Sequence, residues 1–210
     1  MYIFLTTKKG VVKKTELSEY ANIRRNGLLA IKLIPKDELV WSRLTSGEDE
    51  IVLTTKMGQA IRFSEKDVRP LGRDTMGVRG VLLKKTGDEV VGVDVISKNG
   101  KNKKINTAEP LLLVVTEKGL GKKTAFPEFP LQKRGGMGVR CCEITERTGP
   151  VIRSEIIPNS CSRLLLTSVK GQIVKVPMEE VPKLGRATQG VILMRFNKEG
   201  DSLAAVACLD

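Results

Sequence analysis

Residues 2–10 read YIFLTTKKG, and the phrase returns as EIVLTTKMG at 50–58, LLLVVTEKG at 111–119 and RLLLTSVKG at 163–171. Each is an apolar run ending in a hydroxyl residue (Thr7, Thr55, Thr116, Ser168) three places before a glycine (Gly10, Gly58, Gly119, Gly171). A second glycine follows at Gly27, Gly77, Gly138 and Gly190, each opening another apolar stretch: LLAIKLI, VRGVLL, VRCCEI and VILMRF. The two glycines stand 17 residues apart in the first copy and 19 in the other three. Self-similarity at a period of about fifty residues marks a repeat architecture.

The short runs are rich in Val, Ile, Leu and Thr and bounded by Gly, Pro, Asn and Asp, so they read as strands, with no sustained helical stripe. KKG, KMG, EKG and VKG are hairpin turns joining the first two strands of a copy. KTGDE, ERTGP and NKEGD, holding Asp88 and Asp201, are turns before the last strand, and Asp37 reads as a turn former too. About four antiparallel strands per unit is a blade that cannot bury both faces alone and needs neighbours. The expected fold is all-β and propeller-like, one repeat domain over 1–210 with blades at about 1–48, 49–109, 110–159 and 160–210. Copies two and three are separated by SKNGKNKKINTAE, whose lysines Lys98, Lys101, Lys103 and Lys104 read as a solvated connector. Whether four blades close, stay an open arc or pair with another chain is left open by the sequence, because unpaired edges invite association.

Charge narrows the function. The 210 residues carry 36 Lys plus Arg against 24 Asp plus Glu, a formal charge of +12, which points to a polyanionic partner. The chain has no histidine, which removes Ser-His-Asp and Cys-His catalysis and HExxH metal sites. Five Phe, one Trp and two Tyr give little ring surface for stacking single-stranded bases, so duplex backbone binding fits better. Cys141, Cys142, Cys161 and Cys208 form no CxxC pair and are expected to be buried, reduced thiols. No nucleotide loop of the GxxxxGK[ST] kind is present, and no cofactor or metal is expected. Without a membrane-length apolar run or a signal-peptide order, the chain reads as soluble and cytosolic.

Two sets of cations recur. Four residues after the turn glycine stand Lys14, Arg62, Lys123 and Lys175. Side chains alternate along a strand, so a charge at one fixed position faces the same way in every blade, and the expectation is a displayed row of cations contacting phosphate. Four residues before the second glycine stand Arg73, Arg134 and Arg186, with Arg24 one place out of register, in loops reading PLGRDTMG, LQKRGGMG and KLGRATQG. Glycine lets the backbone approach a phosphate and arginine supplies a forked cation.

The most informative loop is Gln132, Lys133, Arg134, Gly135, Gly136, Met137 and Gly138. With KKGVVKKT, GQAIRFSEKDVRPLGRDTMGVRG, GDEVVGVDVI and GRATQGVIL it resembles the carboxy-terminal domain of the DNA gyrase A subunit along essentially the whole chain. The resemblance implies a β-pinwheel whose basic rim wraps double-stranded DNA, serving the catalytic part of the gyrase A subunit, and the gyrase B subunit, in ATP-dependent negative supercoiling. It implies a bacterial, cytoplasmic, nucleoid-associated module with no catalysis of its own. The family's box reads QRRGGKG; this loop keeps five of seven positions, with Lys133 conservative and Met137 in place of a cation. The family's disc usually has six blades with the box in the first, whereas this chain has four with the box-like loop in the third, and so looks like a carboxy-terminal portion or a shortened version. A topoisomerase IV-type domain and a protein-interaction propeller are the alternatives.

Overall fold

The computed structural model describes residues 1–23, 25–97 and 109–210. The strands are β1 (Tyr2–Thr7), β2 (Val11–Glu16), β3 (Leu39–Thr45), β4 (Glu50–Thr55), β5 (Gln59–Ser64), β6 (Val78–Arg79), β7 (Val90–Ile96) and β8 (Leu111–Thr116). They continue as β9 (Leu120–Ala125), β10 (Leu131–Gln132), β11 (Val139–Arg140), β12 (Val151–Ile156), β13 (Arg163–Ser168), β14 (Ile173–Pro177), β15 (Val191–Ile192) and β16 (Leu203–Leu209). A short 3-10 turn follows the second strand of each copy, at Leu17–Tyr20, Glu65–Asp67, Phe126–Glu128 and Met178–Glu180. The lysines of the connector between copies two and three, and Arg24, lie outside the described residues.

The first hairpin of each copy is tight because its glycine takes a positive φ, near +80° at Gly10, Gly58 and Gly119. The recurring hydroxyl sits inside the turn: Val11 N and Gln172 N donate to Thr7 Oγ1 and Ser168 Oγ at 3.1 and 3.0 Å. Asp37, Asp88 and Asp201 tie the last strand to this hairpin, their carboxylates accepting from Lys9 N, Met57 N and Lys170 N.

Among the described residues four sheets result, in the orders β3-β1-β2-β6, β7-β4-β5, β12-β8-β9-β15 and β16-β13-β14, with β10 and β11 both lying on β5. The strand that opens at the second glycine does not join its own copy's sheet. β6, β11 and β15 each cross to the sheet of the preceding copy, so neighbouring blades exchange a strand. At each crossing the turn-glycine carbonyl is doubly used: Gly10 O accepts from Gly80 N and Val81 N, Gly58 O from Cys141 N and Cys142 N, and Gly119 O from Leu193 N and Met194 N.

The core is three layers between blades. Phe4 and Val12 pack on Ile51, Phe63 and Val68; Val52 and Ala60 on Leu112, Phe126 and Phe129; Leu113 and Val115 on Leu164, Met178 and Val181. Burying such side chains is worth about 1.5–3 kcal/mol each, and it is available only where another blade lies alongside.

The expectation of four reduced thiols is corrected. Cys161 and Cys208 form a disulfide across a sequence separation of 47, while Cys141 and Cys142 are free and buried. The antiparallel pairing of β13 with β16, which sets Leu164 opposite Cys208, brings the two Cα atoms to 5.4 Å, a proximity that spacing along the chain does not reveal.

Candidate nucleic-acid interface

The row of cations that alternation predicts is largely turned inward, and this corrects the sequence reading. Lys14 is 4% exposed and donates from Nζ to Glu65 O at 2.9 Å, with Glu65 Oε2 at 3.8 Å. Arg62 pairs with Glu50 at 2.6 Å, donates to Phe129 O at 3.0 Å and lies over the Phe126 ring. Lys123 Nζ donates to Met178 O at 2.7 Å. All three reach the 3-10 turn of the following blade, so the position is an inter-blade clasp. Lys175, in the last blade, is exposed. The cause is the strand exchange: the next copy's chain crosses over this face and covers it. Burial lowers the pKa of Lys14 and Lys123, with Glu65 and Glu179 respectively acting against that.

A second set of lysines holds the glycine-arginine loops. Lys122 is fully buried and donates to Gly185 O and Arg186 O, both at 2.7 Å, and to Thr188 Oγ1 at 3.1 Å. Lys13, also fully buried, does the same beneath the first loop, donating to Ala30 O at 2.7 Å and to Arg73 O. Desolvation lowers the pKa of both. In the second blade the equivalent residue is Ile61, and the 132–138 loop is held differently: Arg134 Nε donates to Asp67 O at 2.8 Å and its Nη1 to Arg79 O at 3.0 Å. Arg186 Nη1 likewise donates to Arg140 O at 3.2 Å, and Arg186 N to Glu128 Oε2 at 2.9 Å.

Arg134 and Arg186 therefore position their loops as much as they present charge. Gln132 lies in β10 beside β5. Gly135 N donates to Gly80 O at 2.7 Å, Gly136 O accepts from Leu82 N, and a Cβ on Gly138 would meet Ala60 O at 2.2 Å. Gly135 and Gly138 also have positive φ, so loop and crossing strand press onto the preceding blade in a way no larger residue allows. Arg73 is half-buried, its main-chain N facing Glu19 at 3.4 Å.

The freely presented charge at this edge is partly elsewhere. The Lys133 side chain is 91% exposed, with Asp67 at 3.2 Å. Arg79 and Arg140, two residues after Gly77 and Gly138, are exposed on the crossing strands β6 and β11. Sequence reading passed over them, although a cation two places after the second glycine, in VRG and VRC, was the available signal. Arg69, just past its 3-10 turn, is exposed as well. The arrangement is a series of loops, 72–77, 133–138 and 185–190, repeated at the same edge of successive sheets. Each offers glycine backbone with cations close by.

Comparison with known proteins gives a consistent picture. The family model described as DNA gyrase C-terminal domain, beta-propeller, matches residues 2–46, 49–97, 110–152 and 162–210. The chain is 39% identical over 206 residues to the DNA gyrase A subunit of Chlamydia trachomatis, covering 98% of this chain and 23% of that protein. It is 39% identical over 198 residues to the DNA gyrase A subunit of Staphylococcus aureus strain MRSA252, covering 94% and 21%. It thus spans under a quarter of the length of these relatives. Among solved structures, the C-terminal domain of DNA topoisomerase IV superposes with a TM-score of 0.85 at 27% identity, over 98% of this chain and 61% of that one. The DNA gyrase A C-terminal domain superposes at 0.79 with 26% identity, over 100% and 66%.

Proposed function

Because this chain belongs to the DNA gyrase C-terminal domain family, we propose that its crossing-strand edge binds and bends double-stranded DNA as the non-catalytic wrapping module of a gyrase A subunit. The observation that carries the reading is the recurrence of one glycine-cation loop at the same edge of successive sheets, each anchored on the blade before it. Lys133, Arg79, Arg140 and Arg69 supply exposed charge to phosphates. Arg73, Arg134, Arg186 and the amides around Gly135, Gly136 and Gly138 form the backbone-facing loops, with Gln132 at the entry of the middle one. Phosphate neutralisation releases counterions, and cations set along a curved edge favour bent over straight DNA. Bending a short duplex costs on the order of 1–6 kcal/mol, which several simultaneous phosphate contacts offset. In the whole protein the wrapped segment is handed to the catalytic part of the gyrase A subunit, working with the gyrase B subunit in bacterial cytoplasm at the nucleoid. Among the described residues no helix is long and apolar enough to cross a membrane.

The test is to incubate the chain with relaxed circular plasmid and a nicking-closing topoisomerase and read the trapped linking-number change. A change that grows with protein concentration supports chiral wrapping. A second reading, a topoisomerase IV-type domain that handles DNA geometry without full wrapping, is favoured by Met137 in the box-like loop and by the 0.85 TM-score to that domain. It predicts salt-dependent duplex binding with no linking-number change. Absence of duplex binding would overturn both.

A further inference from the structure

The residue before the second glycine is apolar in two of the four copies, Met76 ahead of Gly77 and Met137 ahead of Gly138. Met76 is 52% exposed and Met137 41%, and neither belongs to the three core layers. A lone methionine in water calls for no account. These two share the same surroundings: an arginine three places before, Arg73 or Arg134, and an exposed arginine three places after, Arg79 or Arg140. Where the following cation is missing, with Leu29 in the first copy and Ile192 in the last, the residue is polar instead, Asn26 or Gln189. The Gln189 amide turns back to Glu143 Oε2 at 3.4 Å. The exposed methionine thus accompanies the complete pair of arginines.

The backbone on both sides of each methionine is fixed to the preceding blade. One place before, Thr75 O accepts from Lys32 N at 3.0 Å and Gly136 O from Leu82 N at 2.8 Å. One place after, a Cβ on Gly77 would collide with Val12 O and one on Gly138 with Ala60 O, so the main chain there lies directly on the neighbouring strand. Thr75 Oγ1 also ties back to Gly72 O at 2.7 Å, and Gly135 N to Gly80 O at 2.7 Å. Both loops sit where two described blades meet, β6 on β2 and β11 on β5. What remains free is the methionine side chain, on a mount that cannot retreat when it is pressed against a partner.

We propose that Met76 and Met137 enter the minor groove of the bound duplex and wedge between base pairs, kinking it where each loop meets it; this rests on the duplex-binding reading above. A thioether has no donor for a phosphate, and the flanking arginines with Lys133 already supply that contact. The minor groove is about 6 Å wide, room enough for one unbranched side chain, and cations on both sides of the methionine meet the two strands that border the groove. Methionine is slender and adaptable enough to follow a base step as it opens. An apolar side chain pushed into such a step partly unstacks it and bends the duplex toward the major groove. Unstacking is easiest at pyrimidine-purine steps, TA and CA/TG, so the wedges give a step preference without any hydrogen bond to a base edge. Asp74 is exposed within the 72–77 loop, whereas residues 133–138 include no acid, so Met137 is the stronger wedge of the two.

The test uses a duplex of repeated TA steps in which 2-aminopurine, whose fluorescence rises on unstacking, replaces adenine, with binding followed separately by anisotropy of an end label. Saturating wild-type chain at low salt is expected to raise the 2-aminopurine signal. Replacing both methionines, Met76→Ser with Met137→Ser, removes most of that rise while melting and the salt slope of binding stay as in the wild type, because no core contact and no phosphate contact is lost. Met76→Leu with Met137→Leu keeps the rise. Met137→Lys lowers it and steepens the logarithmic salt slope by about 0.9, exchanging a wedge for a phosphate contact. Duplex binding with no rise in the wild type, or a rise that the double serine variant retains, would overturn the wedge and leave the duplex reading standing. A wild type that does not bind the duplex at all would overturn the duplex reading and the wedge with it.

Discussion

The Lys122 ammonium and the main-chain oxygen of Arg186 belong to different blades and meet at 2.7 Å. A fully buried lysine thus holds the floor of a loop whose arginine reaches across to Arg140 O, and the same cation also takes Gly185 O and Thr188 Oγ1. Anchoring and presenting are separate jobs here, and they respond differently to substitution.

Lys122→Met keeps the volume and leaves Arg186 O without its donor, while Gly185 O keeps the Thr188 hydroxyl and N–H, at an expected cost of about 1–3 kcal/mol in stability. Duplex affinity falls because the 185–190 loop loosens, yet the dependence of affinity on salt keeps its slope, since Lys122 touches no phosphate. Titrations at several salt concentrations with a parallel thermal melt check both halves; a flattened slope would mean that Lys122 itself contacts DNA.

Lys133→Ala and Arg140→Ala behave in the opposite way. Both side chains are exposed, so melting is unchanged, and each substitution flattens the logarithmic salt slope by about 0.9. Arg134→Ala differs from both: its guanidinium donates to Asp67 O and Arg79 O, so stability drops together with affinity. Equal melting temperatures for all three would contradict the anchoring role of Arg134.

Asp94 accepts from Ile156 N at 3.0 Å, and its carboxyl is pushed up to about 6, chiefly by desolvation, with the Ile156 N–H and Arg43 acting against the shift. A carboxyl whose folded pKa is raised binds its proton more tightly in the folded state. Its contribution is therefore full below the ordinary carboxylate range and lost as pH rises through about 6. Asp94→Asn escapes that loss, matching the wild type in acid and exceeding it by about 2–3 kcal/mol above neutrality. Denaturant unfolding across the pH range reads this, and parallel profiles would refute it.

Alkylation of the denatured, unreduced chain labels Cys141 and Cys142 and spares Cys161 and Cys208; prior reduction exposes all four. Cys208→Ser lowers stability by about 2–4 kcal/mol, because the bridge closes a long loop and pins β16 to β13. Four labels without reductant would exclude the bridge.

Local chemistry wrote much of this into the chain. Hydroxyl, turn glycine and second glycine recur at fixed distances because each copy repeats the same hairpin, so the all-β repeat, the family resemblance and the glycine-arginine loops at Arg73, Arg134 and Arg186 were legible. Arg79 and Arg140 carried a weaker signal, present in only two of the four copies.

What the sequence determined by itself is the repeat and the face each side chain takes along its strand, since alternation is a local property of extended backbone. What only the tertiary structure decided is whether that face meets water. Lys14, Lys123 and Lys175 occupy the same repeat position, yet Lys14 and Lys123 reach into the following blade while Lys175 stands exposed at the end of the array. The difference lies in the crossing of the next copy's chain, a contact between residues some fifty positions apart, to which no local pattern responds.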